Sequence, residues 1–335
     1  MKFDTNLRFF FSAFLLVLLA STFYPTNSIA LEPSETQTER NPACTFASPG
    51  VLERPGTQNC ELQPDEQKLT FLRIDLCTEK PTGPTVSVPI DRSNCTTFFR
   101  DDNGAEVSVK LGEGTAIGDS GNYSAVPHGN YTHGVATMSS VFKFTSSVTF
   151  DDTMTDVSNS GGSTTCVTRQ GTETPLYGYS DNLTPAQANV SCDAGAVASE
   201  ITVGLNVLRT ESGSHDCDHL LNFSGTNGIV SAYLLESDDT LVTGVGATDT
   251  DQIKNGLTGC IHRTDNGVSK IQGIMEFGTP MVIGPRTAGI EIKYNNTRGM
   301  TLNDGGGTNR VYFWDMSFFD FTMTAKTARA RGSWR

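Results

Sequence analysis

Hydrophobic and polar residues alternate with a period of two along much of the chain. Phe142, Phe144, Val148 and Phe150 share one parity, with Lys143, Thr145 and Thr149 on the other. Ile201, Val203, Leu205 and Val207 alternate with Thr202, Gly204 and Asn206, and Ile290, Ile292 and Tyr294 with Glu291, Lys293 and Asn295. Such alternation sends successive side chains to opposite faces, so each segment reads as a strand with one buried and one solvated face. Leu69–Leu76 (LTFLRIDL) is apolar on both faces for part of its length, the pattern of a central strand. In Val311–Met323 the apolar parity shifts by one residue, from Tyr312, Trp314, Met316 and Phe318 to Phe319, Phe321 and Met323. A β-bulge produces such a shift, and a strand buried on both faces is the equal alternative.

Turn residues fill the gaps: Asp101-Asp102-Asn103-Gly104, Asp265-Asn266-Gly267 and Asn303-Asp304-Gly305-Gly306. The Asn-Gly pairs favour type I′ hairpins, whose two central residues need positive φ. Only Pro185–Val190 and Asp249–Asn255 have room for a short helix. The pattern predicts an all-β fold, an antiparallel β-sandwich of immunoglobulin-like or jelly-roll-like type with long loops. A soft boundary in the Ser/Gly-rich stretch Ser158–Thr165 separates an N-terminal β region, 44–157, from a C-terminal one, 166–324. One continuous sandwich across both is the alternative.

The N-terminus changes the setting of that fold. Lys2 and Arg8 precede an apolar run, Phe9–Ala20, and small residues stand at Ser28 and Ala30. This is the layout of a secretory signal over residues 1–30. As a helix the run spans about 18 Å of a bilayer core about 30 Å thick, so it reads as a cleavable signal rather than an anchor. No later apolar segment reaches membrane-spanning length, so no transmembrane segment is expected in the mature chain. Residues 31–43, polar and acidic, read as a disordered leader, and 325–335, with Lys326, Arg329, Arg331 and Arg335, as a basic tail.

Export also decides how the eight cysteines are read. None forms a C-x-x-C pair, and in an oxidising compartment the default is a disulfide framework. Nearest-neighbour pairing gives Cys44 with Cys60, Cys77 with Cys95, Cys166 with Cys192 and Cys217 with Cys260. The formal charge of −13 gives no electrostatic reason to bind nucleic acid or an anionic membrane. Seven N-x-S/T sequons begin at Asn94, Asn122, Asn130, Asn182, Asn189, Asn222 and Asn295.

Candidate chemistry is sparse. Gly118-Asp119-Ser120-Gly121 matches the nucleophile tetrapeptide of chymotrypsin-like proteases, but that family places its histidine upstream and the first histidine here is His128. The tetrapeptide therefore reads as a turn. The densest polar cluster is His215-Asp216-Cys217-Asp218-His219. Two imidazoles with Asp216 or Asp218 suit Zn or Cu, whereas a disulfide at Cys217 takes away the thiolate. Acidic loops with Asp151, Asp152 and Asp156, with Asp238 and Asp239, and with Asp249 and Asp251 are candidates for Ca, though none has the spacing of a Ca loop. Solvated turns account for all of these, and no cofactor is expected.

Two segments resemble an uncharacterised group of secreted β-sandwich proteins of Gram-negative, often aquatic, bacteria. They are Leu69–Cys77 and Val126-Pro127-His128-Gly129-Asn130-Tyr131-Thr132-His133, within a match over about residues 44–150. The resemblance implies export and a β-sandwich and implies no activity. The sequence thus points to an exported, non-enzymatic β protein with a structural or adhesive role at the cell surface or outside the cell. Its expected partners are further copies of itself, through an aromatic last strand, or surface glycans. The alternative is a carbohydrate- or Ca-binding module using Tyr177, Tyr179, Trp314 or Trp334; a secreted hydrolase comes third.

Overall fold

A computed structural model describes residues 42–54, 59–85, 87–110, 116–157, 162–172, 184, 186–205, 208–209, 217–218, 220–225, 228–242, 268–304, 309–316 and 320–327. In chain order the first strands are β1 (Phe46–Ser48), β2 (Val51–Leu52), β3 (Cys60–Leu62), β4 (Glu66–Cys77), β5 (Cys95–Lys110), β6 (Gly129–Ser139) and β7 (Val141–Thr145). Then follow β8 (Ser147–Met154), β9 (Ser163–Thr168), β10 (Val190–Ser191), β11 (Ile201–Gly204), β12 (Leu208–Arg209), β13 (Cys217–Asp218) and β14 (Leu220–Gly225). The last are β15 (Gly228–Leu235), β16 (Lys270–Ile283), β17 (Thr287–Asn295), β18 (Met300–Asp304), β19 (Val311–Met316) and β20 (Asp320–Thr327). The fold is an all-β sandwich whose pairings, among the described residues, are antiparallel apart from β2 with β8 and the isolated bridges Ala43 with Glu61 and Thr155 with Arg310.

The largest sheet is organised by β4. One edge of β4 pairs with β5 along its whole length; the other pairs with β7 near Glu66–Lys68 and with β6 from Phe71 to Cys77. Beyond β6 the sheet continues through β16, β15 and β14, and beyond β7 through β11. It divides at Ser140, whose N–H donates to Ser269 O at 3.1 Å and whose carbonyl accepts from Leu205 N at 2.8 Å. One backbone residue thereby serves both branches. The pairings β6 with β16 and β7 with β11 join residues from opposite sides of Ser158–Thr165, and β9, which begins inside that stretch at Ser163, pairs back with β8.

A single large apolar cluster lies beneath these sheets, with Leu69, Phe71, Phe142, Phe144, Phe150 and Trp314 essentially inaccessible to solvent. Burying each such side chain contributes about 1.5–3 kcal/mol. Phe142, Phe144, Val148 and Phe150 are all buried in this core but reach it from two sheets, Phe142 and Phe144 on β7 of the large sheet and Val148 and Phe150 on β8 of the sheet β1-β2-β8-β9-β10. In β4 the buried parity passes from Leu69 and Phe71 to Ile74 and Leu76 across an irregularity between Phe71 and Arg73. Cys44–Cys60, Cys77–Cys95 and Cys166–Cys192 are bonded. On a chain-entropy model, closing loops of this size stabilises by about 3 kcal/mol each. Disulfides of this kind form and persist in oxidising compartments.

Several expectations are corrected. Val311–Met323 is neither one bulged strand nor one doubly buried strand: β19 pairs with β18 at the edge of the sheet β19-β18-β3, β20 pairs with β17, and the parity changes where the chain changes sheets. The two aromatics whose side chains are described, Trp314 and Phe321, lie in the core, which removes these two from an exposed adhesive strip. Asp101–Gly104 is not a hairpin turn. Arg100 faces Arg73 and Ala105 faces Phe71, so these four residues bulge from one long strand opposite Leu72. Gly104 alone of them has positive φ, at 84°, whereas a type I′ turn needs two such residues. Glu291, placed on a solvated face, is buried, and Lys326 is a strand residue that meets it at 2.6 Å rather than part of a free tail. Pro42 and Ala43, expected in the leader, are bound to Glu61 through the backbone. Around Gln187 the chain makes a turn on Thr184 before β10, and Asp249–Asn255, Asn266 and Gly267 lie outside the described residues.

Candidate functional site

The outer face of the large sheet, turned away from the main core, carries a concentration of charge. It follows from β4: once its inward parity passes to Ile74 and Leu76, Arg73, Asp75 and Cys77 face outward together. Residues 78–85 and 87–94, closed at the base by Cys77–Cys95, fold over this face as a flap. Ile90 of the flap packs in a second apolar cluster with Cys77, Val135, Tyr233, Leu235 and Ile274. Leu241 N donates to Thr85 O at 2.9 Å, linking the flap to the turn after β15.

Asp75, 0% exposed, sits beneath this flap. Arg73 Nε donates to both its oxygens, at 2.8 and 2.9 Å. Thr97 Oγ1 donates to Oδ1 at 2.8 Å, and Arg92 Nε, from the flap, to Oδ2 at 3.1 Å. Arg73 Nη2 donates in turn to Thr97 Oγ1 at 2.8 Å. Burial, and then the Arg73 guanidinium, pull the pKa of Arg92 below its ordinary value, while Asp75 and Asp239 oppose this. Arg92 Nη2 is buried with no hydrogen-bond partner among the described residues. Asp239, at φ 69°, holds Lys270 at 2.6 Å nearby.

This geometry suits a lock better than a catalyst. A general base needs a free lone pair within reach of substrate. Asp75 is inaccessible, and each of its oxygens already accepts two hydrogen bonds. Its evident work is to fasten Arg92, and with it the flap, to the sheet. Sequence reading did not single out Arg73, Asp75, Arg92 or Thr97. The available signal was Arg73 and Asp75 at one parity inside an otherwise apolar strand, where buried charges need partners.

His215, Asp216, His219 and Cys260 lie outside the described residues, as do the side chains of Cys217 and Asp218, so the Zn cluster and the fourth disulfide lie there too. Tyr177, Tyr179, Trp334, Asp249 and Asp251 are likewise outside. Trp314 is 0% exposed and cannot present a platform to a sugar. The other acidic residues have structural tasks. Asp151 Oδ1 accepts from Arg54 N at 2.9 Å, Asp152 Oδ2 from Asn309 Nδ2 at 2.9 Å, and Asp238 Oδ1 from Thr240 Oγ1 at 2.6 Å. Among the described residues no three His, Cys, Asp or Glu side chains come together as a metal site, and no helix is long and apolar enough to cross a membrane.

Ser120 belongs to a 3-10 turn, Ser120–Asn122, in which Asp119 N donates to Asn122 Oδ1 at 2.9 Å. Tyr131 buries its ring and donates its hydroxyl to Pro127 O at 2.9 Å, while Gly129 begins β6 without positive φ. No protein-family model, no curated protein and no solved structure matches the chain.

Proposed function

We propose that the chain is an exported, non-enzymatic β-sandwich with a structural or adhesive role at the cell surface or outside the cell. The observation that carries this reading is the use made of buried charge: it fastens segments together. Asp75 ties the flap to β4 and β5, Glu61 of β3 meets Arg298 Nε at 2.7 Å, and Glu291 of β17 meets Lys326 of β20 at 2.6 Å. On the surface, Lys68, Glu106, Lys143 and Glu200 form a closed ring of contacts between 2.6 and 4.0 Å across β4, β5, β7 and the residue before β11. With three disulfides, these cross-links describe a shape-holding scaffold for an oxidising setting. The secretory signal over residues 1–30 and the resemblance to secreted β-sandwich proteins agree with that setting.

The reading is tested on the purified, oxidised mature chain by light scattering, negative-stain microscopy and attachment to host cells and inert surfaces. Ordered multimers or saturable attachment are expected. A monomer at every concentration that attaches to nothing overturns the proposal.

A further inference from the structure

His133 lies in β6 between Cys77 of β4 and Glu276 of β16. Its residue is 7% exposed. Thr132 Oγ1 donates its only proton to Thr78 O at 2.9 Å. At its 2.8 Å contact with His133 Nδ1 the same hydroxyl must therefore accept, so Nδ1 carries the ring proton. Nε2 is left as a bare lone pair, buried and without a hydrogen-bond partner among the described residues. Thr78 is the first residue of the flap, so one hydroxyl joins the ring to the flap backbone.

The charges acting on the ring come from two sides. Glu276 on β16 favours its protonation and Lys80 on the flap opposes it, while Cys77 on β4 is disulfide-bonded and carries no charge. Glu79 of the flap accepts from Asn94 Nδ2 at 3.3 Å.

We propose that His133 is a pH-sensitive latch for the 78–94 flap: proton uptake at Nε2 loosens the flap and uncovers Ile90, Arg92 and Asp75. An imidazolium has two N–H donors, and a buried donor without an acceptor is costly. Among the described residues the closed arrangement supplies an acceptor at Nδ1 only. Lifting the flap hydrates the ring and withdraws Lys80, so proton uptake and opening favour one another. The Cys77–Cys95 bond keeps the loosened flap tethered, which makes the change local.

Hydrogen exchange of the oxidised mature chain, read by mass spectrometry at pH 7.5 and pH 5.0 and corrected for intrinsic rates, tests this latch. Flap amides should lose protection by about five-fold or more at the lower pH while β6 and β16 amides keep theirs. In His133→Gln the flap should show no such loss. In Thr132→Val, which cuts the tie to Thr78, flap protection should be low at both pH values, a result that decides the matter if His133→Gln fails to fold. The latch is overturned by equal flap protection at both pH values in the wild type, by an unchanged response in either variant, or by loss centred outside the flap or spread over the whole chain.

Discussion

The side chain of Asn189 completes the backbone pairing of Trp314: Nδ2 donates to Trp314 O at 2.6 Å, and Oδ1 accepts from Trp314 N at 2.8 Å. Both residues are buried, and one amide does there what a neighbouring strand does elsewhere in a sheet. It fixes the residue before β10 to the middle of β19. Asn189→Ala would leave a buried N–H and a buried C=O unpaired, so unfolding in urea should show a loss of about 2–4 kcal/mol. A loss below about 0.5 kcal/mol contradicts this role. Asn189 also heads a sequon, Asn189-Val190-Ser191. With both ends of its amide engaged, it should carry no glycan in the folded protein from a glycosylating host, as peptide mass spectrometry would show.

Gly104 is held where only glycine fits. Its φ is 84°, and an added Cβ would lie 2.4 Å from Thr70 Cγ2. Gly104→Ala should destabilise by about 1–3 kcal/mol, whereas Gly121→Ala, with no atom within 4 Å of the added carbon, should change stability by less than about 0.5 kcal/mol. Thermal unfolding of the two variants side by side checks the contrast.

Asp75→Ala leaves two guanidinium groups without their common carboxylate. Removing one partner of a buried ion pair typically costs about 3–5 kcal/mol. The loss should concentrate in the flap, so limited proteolysis should cut between residues 78 and 94 sooner in the variant. Cleavage at the wild-type rate would count against Asp75 as the fastening of the flap.

Burial holds the pKa of His133 below its ordinary value of 6.5, Glu276 partly offsets this, and Lys80 adds to it. The unfolded chain then binds more protons than the folded one between the folded pKa and about 6.5, so stability rises with pH through that window. Acidification should weaken the fold from about pH 6.5 downward until the folded-state pKa is passed. Denaturation midpoints at pH 7.5 and 5.0 should draw together in His133→Gln. An unaltered gap between them would show that other groups set the acid sensitivity.

Much of the fold could be read from alternation alone, because burial of one face leaves a period of two at Phe142, Phe144, Ile290 and Ile292. Three disulfides coincide with nearest-neighbour pairing, since hairpins and short loops bring close cysteines together. What could not be read depends on contacts distant in sequence. The parity change after Phe318 is the same in sequence whether a strand bulges or the chain moves to another sheet. The burial of Glu291 depends on Lys326, thirty-five residues on. Arg92 looks like any loop arginine until the Cys77–Cys95 bond brings the flap back over Asp75. Trp314, as an isolated aromatic, suggested a sugar platform; only the strands around it show that it is core.

A shape-holding role at the cell exterior, as proposed, can be checked by antibody labelling of the mature chain on intact host cells and in their medium. Label is expected on unpermeabilised cells or in the medium. Label that appears only after permeabilisation, on protein confined to the cell interior, would contradict it.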